Sequence, residues 1–406
     1  MKPDVRRFDV AVIGGGSAGL AAAVTAARTG ARTILIERHG FLGGMGTASL
    51  VHSFCGLYLL RDEAGAEFAN PGFATEIAGL MIAATGIGPI RSGRVDVLPQ
   101  HPVEFVTIAD RLVKAEPALE TRLHSEVTAV LRDGDGWMIR LNDRSGNHSL
   151  SASALVDASG DAVVASFLGE EFSIAPAARL QRPAYVFGVR SLSEMGDDVR
   201  LRASGLLVEG VRSGEIPADA LGLSFRASGR PGEIFATLDL AGAATADDFN
   251  PLDAGCLSRM EMQGRAIASQ TIRWLAARDE VWRGSYISHW PVRAGIRESR
   301  RWIGGYVLTG ADLLEGRRFD DEIALATWPM EFRENPRGPK LRFPHENRPC
   351  GIPLRCLKPL GIDHLFVAGR CISADHDAQA SIRVMGTCFA TGEAAGRAAV
   401  GWLHKK

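Results

Sequence analysis

The first apolar run, residues 8–13 (FDVAVI), is short and rich in β-branched side chains, which predicts a strand buried on both faces. It stops at Gly14-Gly15-Gly16. Residues 17–29 are Ala-rich with no breaker but Gly19, which predicts a helix that Gly30 closes. Residues 33–36 (TILI) form a second buried run ending at Glu37. Strand, helix and strand together make a parallel β-α-β unit of ordinary size.

Residues 40–46 form a glycine-rich loop, and 50–94 read as irregular apart from a helix at 73–84. A further helix is expected at 103–115. Residues 121–131 and 136–141 alternate like paired strands, joined through Asp133-Gly134-Asp135-Gly136, a strong hairpin signal. A short strand at 155–156 runs into Asp157-Ala158-Ser159-Gly160-Asp161. Beyond about residue 170 the character changes. Antiparallel strands are expected at 185–189 and 234–240, a long amphipathic helix at 260–277, and loop across 325–350. Residues 365–368 (LFVA) read as a strand again, and the Ala- and Gly-rich stretch 386–403 as a closing helix. No internal repeat is visible. The pattern predicts an α/β protein. A Rossmann-like nucleotide domain with a β-α-β unit and a β-hairpin is assembled from residues 1–165 and 356–406. Residues 166–355 are inserted as a mixed α+β cap on the substrate side.

Composition narrows the partners. Lys and Arg number 46 against 47 Asp and Glu, so the formal charge is −1 and no basic excess points to a nucleic acid. No uninterrupted apolar run reaches about 18 residues, so no membrane span is expected. Arg6-Arg7 before an apolar stretch resembles an export leader, but a strand entering a nucleotide fold explains every residue there. The six cysteines (Cys55, Cys256, Cys350, Cys356, Cys371, Cys388) form no C-x-x-C pair, no disulfide ladder and no iron–sulfur spacing. A reduced cytoplasm fits, with no metal site and no redox dithiol. Cys350 and Cys356 read as ordinary thiols.

The chemistry starts at Gly14-x-Gly16-x-x-Gly19 between strand and helix. The first glycine allows the tight turn. The second lets the backbone approach a diphosphate, and the third lets the helix pack on the strand. Free N–H groups and the dipole at the helix start hold the anion. Glu37 stands where an acid binds ribose hydroxyls. The motif does not separate NAD from FAD, but three later features favour FAD. Gly43-Gly44-Met45 supplies a second loop, Ala158-Ser159-Gly160-Asp161 ends a strand after the hairpin, and Ala368-Gly369-Arg370 ends a strand just before the closing helix. A long cofactor needs contacts from such separated segments.

These segments resemble the FAD-dependent oxidoreductases related to the flavoprotein subunits of fumarate reductase and succinate dehydrogenase. The matching stretches are FDVAVIGGGSAGLAAAVTAARTGARTILIERHGFLGGMGT, LVDASGDA, GIRESRRWIGGYVLTGADLLEGRRFDD and IPLRCLKPLGIDHLFVAGRCISADHDAQASIRVMGTCFATGEAAGRAA, about half the chain. The resemblance implies that Gly14, Gly16, Ser17, Ala18 and Gly19 hold the diphosphate and Glu37 the adenosine ribose. It implies that Arg38, Gly44 and Met45 lie along the cofactor and that the backbone near Val127 meets adenine. Ala158, Gly160 and Asp161 end the second matching stretch at the cofactor. Gly369, Arg370 and Asp375 lie near the ribityl chain and diphosphate. Met385, Gly386 and Thr387 point N–H groups at the flavin's pyrimidine edge, where a helix N-terminus stabilises negative charge. Two departures stand out. His39 and His52 do not match the pattern of relatives that attach FAD covalently, so FAD is expected to be noncovalent. The dicarboxylate-binding His and Arg set of fumarate reductases is not found, so fumarate reduction is not implied.

Three places are candidates for the reactive centre. Related enzymes place an arginine beside the substrate where this chain has Arg383, and a guanidinium suits a carboxylate or polarised oxygen. It would alternatively neutralise the cofactor or pair with Asp375 or Asp377. His376, between Asp375 and Asp377, is a candidate acid/base, or else a structural histidine. Arg293, Arg297, Arg300 and Arg301 fall at helical spacing on one face, either as an anion site above the flavin or as ion pairs with Glu298, Asp312 or Asp320. The expected reaction is hydride transfer between a small organic substrate and FAD. The alternatives are a flavin monooxygenase using free NAD(P)H, and an FAD-binding subunit of a larger redox assembly. The sequence does not specify the electron acceptor, and a homo-oligomer is left open.

Overall fold

The computed structural model describes residues 5–63, 65–190, 196–240, 249–334 and 338–404. Strand Arg6–Ile13 runs parallel between Thr33–Ile36 and Gly146–Asp157. With a neighbour on each edge and helices on its faces, it has no use for polar alternation, and Val10–Ile13 are buried without a break. The sheet continues outward as Leu119–Arg122 beyond Thr33–Ile36, and as Gly136–Asp143 then Glu126–Asp133 beyond Gly146–Asp157. Gly146–Asp157 is the joint of the domain. Its first half pairs antiparallel with Gly136–Asp143, and its last three residues pair parallel with Leu365–Val367. Residues far apart in sequence thereby end side by side, with Ile13 opposite Ile36 and Asp157, and Asp157 opposite Val367. In open α/β sheets, ligands bind beyond these carboxyl ends.

Helix Ser17–Arg28 is buried from Ser17 to Ala27 because the closing helix Met385–Leu403 covers it. The two pack backbone to backbone. A Cβ at Gly392 would sit 2.1 Å from the Ala18 carbonyl oxygen, and one at Gly396 2.4 Å from that of Ala22. The glycines expected in the last helix are thus the contact that fastens the chain's end to its beginning.

A second core lies in an antiparallel sheet ordered Leu223–Ala227, Glu233–Asp239, Ala184–Arg190, Tyr286–His289. Helix Ala254–Arg278 contributes Met260, Ile267 and Leu275 to that core. From Trp302 through Ile352, apolar residues join the first core instead. Helix Asp197–Arg212 lies in a stretch for which the pattern predicted no element. Part of 325–350 is strand rather than loop: Glu322–Ala326 pairs with Cys350–Pro353, and Met330–Phe332 with Lys340–Arg342. No described helix is long and apolar enough to cross a membrane.

Candidate functional site

The strand ends open into a cleft with about 1060 Å³ of atom-free space, its open mouth included. That is room for a ligand of dinucleotide size. Gly14 sits at φ +95°, and a Cβ there would be 2.7 Å from the Ala158 carbonyl oxygen. At Gly19 a Cβ would be 1.7 Å from the Gly14 oxygen. These two glycines serve the fold. Gly16 differs, because a Cβ there would meet only the Gly44 Cα at 3.8 Å. Its side faces the cleft. The helix behind it has Gly16 as N-cap and no side-chain cap, so its first N–H groups are left for a ligand. The Gly43 N–H donates to Gly15 O (2.9 Å), which lays the second glycine loop against the first.

Glu37 is buried. Its carboxylate accepts from the Gly15 N–H at 2.7 Å and the His39 N–H at 2.8 Å. Lone pairs remain for ribose hydroxyls. Asp157 locks the opposite wall, accepting from Ser159 Oγ (2.6 Å), Trp302 Nε1 (2.8 Å) and the Ser159 and Val164 N–H groups. Burial pushes its pKa up. Arg370 pairs with Asp161 at 2.5 Å, and Ser299 Oγ donates to the same carboxylate at 2.6 Å. Burial opposes ionisation of Asp161, but Arg370 and Ser299 outweigh it and its pKa falls.

Gly14, Gly16, Ser17, Ala18, Glu37, Arg38, Gly44, Met45, Val127, Ala158, Gly160, Asp161, Gly369, Arg370 and Met385 line this one cleft, and so does Arg383. Other residues expected there lie behind it. Gly19 packs against the first strand's end. Asp375 caps helix His376–Ile382, accepting from the Ala378 N–H at 2.7 Å. Thr387 is fully buried, and the Gly386 N–H is spent on the Cys55 carbonyl at 2.9 Å. The helix start therefore offers Met385 to the cleft, not the three successive residues the resemblance implied.

His376 bridges two carboxylates. Nδ1 lies 3.0 Å from both Glu298 oxygens and Nε2 3.0 Å from Glu334. Burial would lower its pKa, but Glu298 and Glu334 raise it. Both nitrogens are engaged, and His376 does not line the cleft.

Arg383 and Arg297 meet in a single charge network. Arg297 pairs with Asp239 at 2.8 Å, Arg333 with the other Asp239 oxygen at 2.5 Å, and Arg333 Nε with Glu331 at 2.6 Å. Arg383 donates to the Glu331 carbonyl at 3.2 Å, while its buried Nε has no partner. Burial and then Arg333 work against the Arg383 charge, which Glu331 supports, and the pKa is lowered. Against burial, Arg333, Arg383 and Arg297 hold Glu331 down at about 2.

The four clustered arginines do not share a helix face. Residues 291–300 carry no helix, and Arg301–Trp302 is a strand. Arg297 goes to Asp239, Arg300 Nε to the Asp161 carbonyl (2.9 Å), and Arg301 to Glu298 (2.5 Å). Of the four, Arg293 alone lines the cleft.

The family model for FAD dependent oxidoreductases matches residues 9–406. No curated protein sequence matches this one. Among solved structures, p-nitrophenol 4-monooxygenase from Pseudomonas putida DLL-E4 is 11% identical, with 99% of this chain and 82% of that chain covered and a TM-score of 0.48. A geranylgeranyl bacteriochlorophyll reductase-like protein from Thermoplasma acidophilum is also 11% identical, covering 99% and 80%, with a TM-score of 0.49. The flavin-dependent monooxygenase PieE, solved with FAD and substrate, is 17% identical over 74% of this chain and 51% of that chain, with a TM-score of 0.41. A dinucleotide cleft built from both ends of the chain and a family match over nearly its whole length agree: the chain belongs to the FAD-dependent oxidoreductase family, is an oxidoreductase enzyme, and takes FAD as its cofactor.

Proposed function

We propose that the protein transfers a hydride between a small organic substrate and noncovalently held FAD, with Arg383 orienting the substrate. When bound, FAD supplies the two-electron redox chemistry. The glycine loops and Glu37 hold its nucleotide half, and Met385 and Arg370 line the remainder of the cleft. The observation that carries the reading is Arg383 itself. It lines the cleft, its Nε is buried without a partner, and no described carboxylate pairs with its guanidinium. A buried guanidinium with an unsatisfied Nε is costly unless a ligand completes it, and its planar fork suits a carboxylate or polarised oxygen. Arg333 holds Glu331 and shares Asp239 with Arg297, so Arg297 is a positioning residue. His376 serves to fix Glu298 and Glu334 and is given no acid/base role. His52 stacks on Phe235 and bonds Leu50 through Nδ1, which supports noncovalent FAD. Kinship with fumarate reductase flavoproteins rests on the sequence motifs alone. The six free cysteines fit a reducing cytoplasm.

The test is anaerobic mixing of the yellow protein with a metabolite panel, watching the flavin's visible band. Bleaching by one compound is expected, and Arg383→Ala should keep FAD while kcat/KM falls about 10- to 100-fold, the worth of a charge-assisted hydrogen bond. Equal kinetics in Arg383→Ala would remove the assignment. Rapid reduction by NADPH alone would favour a monooxygenase. A flavin that no small molecule reduces would favour a subunit of a redox assembly.

A further inference from the structure

We infer that Arg293, delivered by the cap's return segment and not by the nucleotide fold, is a counter-ion of the FAD diphosphate and so ties the cap to the cofactor. This rests on FAD as cofactor and is independent of the hydride-transfer reading.

The backbone around Arg293 is clamped from two sides. The Val292 and Arg293 N–H groups donate to the Ala48 carbonyl (2.8 and 3.2 Å), on the chain leaving the second glycine loop. Gly295 exchanges hydrogen bonds with Ala184 of the cap sheet, at 2.6 and 3.0 Å, and the Ala294 N–H donates to Glu261 of the long cap helix. The side chain is therefore committed to the cleft it lines.

In the cleft it has no anion. Its Nε is buried and unpartnered, and its hydrogen bond is to the Met45 sulfur at 3.8 Å. Among the described residues, no carboxylate lies within ion-pair distance of it. The nearby acid, Asp161, is taken by Arg370 and Ser299, and Glu37 by two backbone N–H groups. Burial, reinforced by Arg38 and Arg370 and opposed by Asp161 and Glu37, depresses its pKa to about 10. Burying a guanidinium without a partner is unfavourable, so the arrangement makes sense when an anion fills the space.

The position says which anion. Met45 follows Gly44, and Gly44 is the neighbour that a Cβ on Gly16 would meet. Gly16 is the point of closest backbone approach to a diphosphate. Arg293 lines the same cleft as Gly16 and Gly44, and a planar fork suits phosphate oxygens. The nucleotide fold supplies the N–H groups, and the cap supplies the charge.

The test uses the full chain with FAD removed and restored. Arg293→Met should weaken both FAD and ADP about 10- to 100-fold, and Arg293→Lys less, by flavin-fluorescence quenching and calorimetry. The salt dependence of FAD affinity should flatten in Arg293→Met. Unchanged affinity would overturn the inference. Loss of FAD affinity with ADP unaffected would also overturn it, because the residue would then serve the flavin half. Should the Met chain fail to fold, hydrogen exchange on the wild type decides. Protection of residues 290–297 on adding ADP is expected, and unchanged exchange there refutes the claim.

Discussion

Gly392→Ala is a sharp test of the idea that one cofactor site is made from both ends of the chain. The added carbon would lie 2.1 Å from the Ala18 carbonyl oxygen, where even a close C–H···O contact needs about 3.3 Å. The obstacle is backbone, so helices Ser17–Arg28 and Met385–Leu403 must separate locally by roughly 1 Å. Overpacking of this kind costs about 1–3 kcal/mol, and a rigid contact belongs at the upper end. Helix propensity returns about 1 kcal/mol, leaving a net loss of about 2 kcal/mol. Gly401, in the same helix, has nothing within 4 Å of its added Cβ. Gly401→Ala should therefore be neutral or gain up to about 1 kcal/mol. The two identical substitutions should differ by about 2–3 kcal/mol in urea denaturation, with release of flavin fluorescence marking loss of the site. Ala18 lines the cleft, so FAD affinity should fall in Gly392→Ala alone. Equal midpoints for the pair would refute the close-packed joint and with it the account of how the site is assembled.

Other consequences follow from the same geometry. Gly16→Ala should fold normally, because its Cβ meets only Gly44 at 3.8 Å, yet lose FAD at least about tenfold in a binding titration. Asp239→Asn would strip the anion from between Arg297 and Arg333, and should destabilise the protein by about 3–5 kcal/mol in urea titration. His376 and His52 should respond to pH in opposite senses. The His376 pKa is raised in the fold, so its contribution is full below the unfolded value near 6.5 and is lost as pH rises through the folded pKa. The stability gap between wild type and His376→Gln should therefore shrink above neutrality. Burial lowers His52 to about 4, so its contribution is present above about 6.5 and lost as pH falls toward 4. His52→Phe should flatten the acid limb of a stability profile, and an unchanged limb would contradict the buried neutral imidazole.

The nucleotide half was legible because its signals are local. Residues 10–13 are apolar without alternation because the strand is buried there with a neighbour on each edge, and the helix 17–28 announces itself by alanine. The hairpin at 133–136 is written in its turn. The long strand Gly146–Asp157 was harder, since only residues 155–156 stood out. Its first half is a partly exposed ladder with the hairpin and its second half a buried parallel strand, so no single periodicity runs along it. Helix Asp197–Arg212 was hidden by a polar surface and two internal glycines. The strands between 322 and 342 are three to five residues long, too short to show a period.

The reactive side was misjudged where spacing was read as conformation. Four arginines at 293, 297, 300 and 301 suit one helix face, and a helix would have sent them all to one anion. The segment carries no helix through residue 300, and each arginine meets whatever lies beside it: the cleft, Asp239, the Asp161 carbonyl, Glu298. Partner carboxylates decide which charges are structural. Arg297 and Arg301 are neutralised by buried acids, whereas Arg293 and Arg383 keep a buried Nε with no partner. The first lines the cleft beside Met45, and the second comes from the segment leading into the closing helix. What sequence spacing gave as one basic cluster, the fold separates into the ion pairs of Arg297 and Arg301, the hydrogen bond of Arg300 to a backbone carbonyl, and Arg293 lining the cleft with no carboxylate in ion-pair distance among the described residues. Only tertiary pairing, which no local pattern encodes, makes that division.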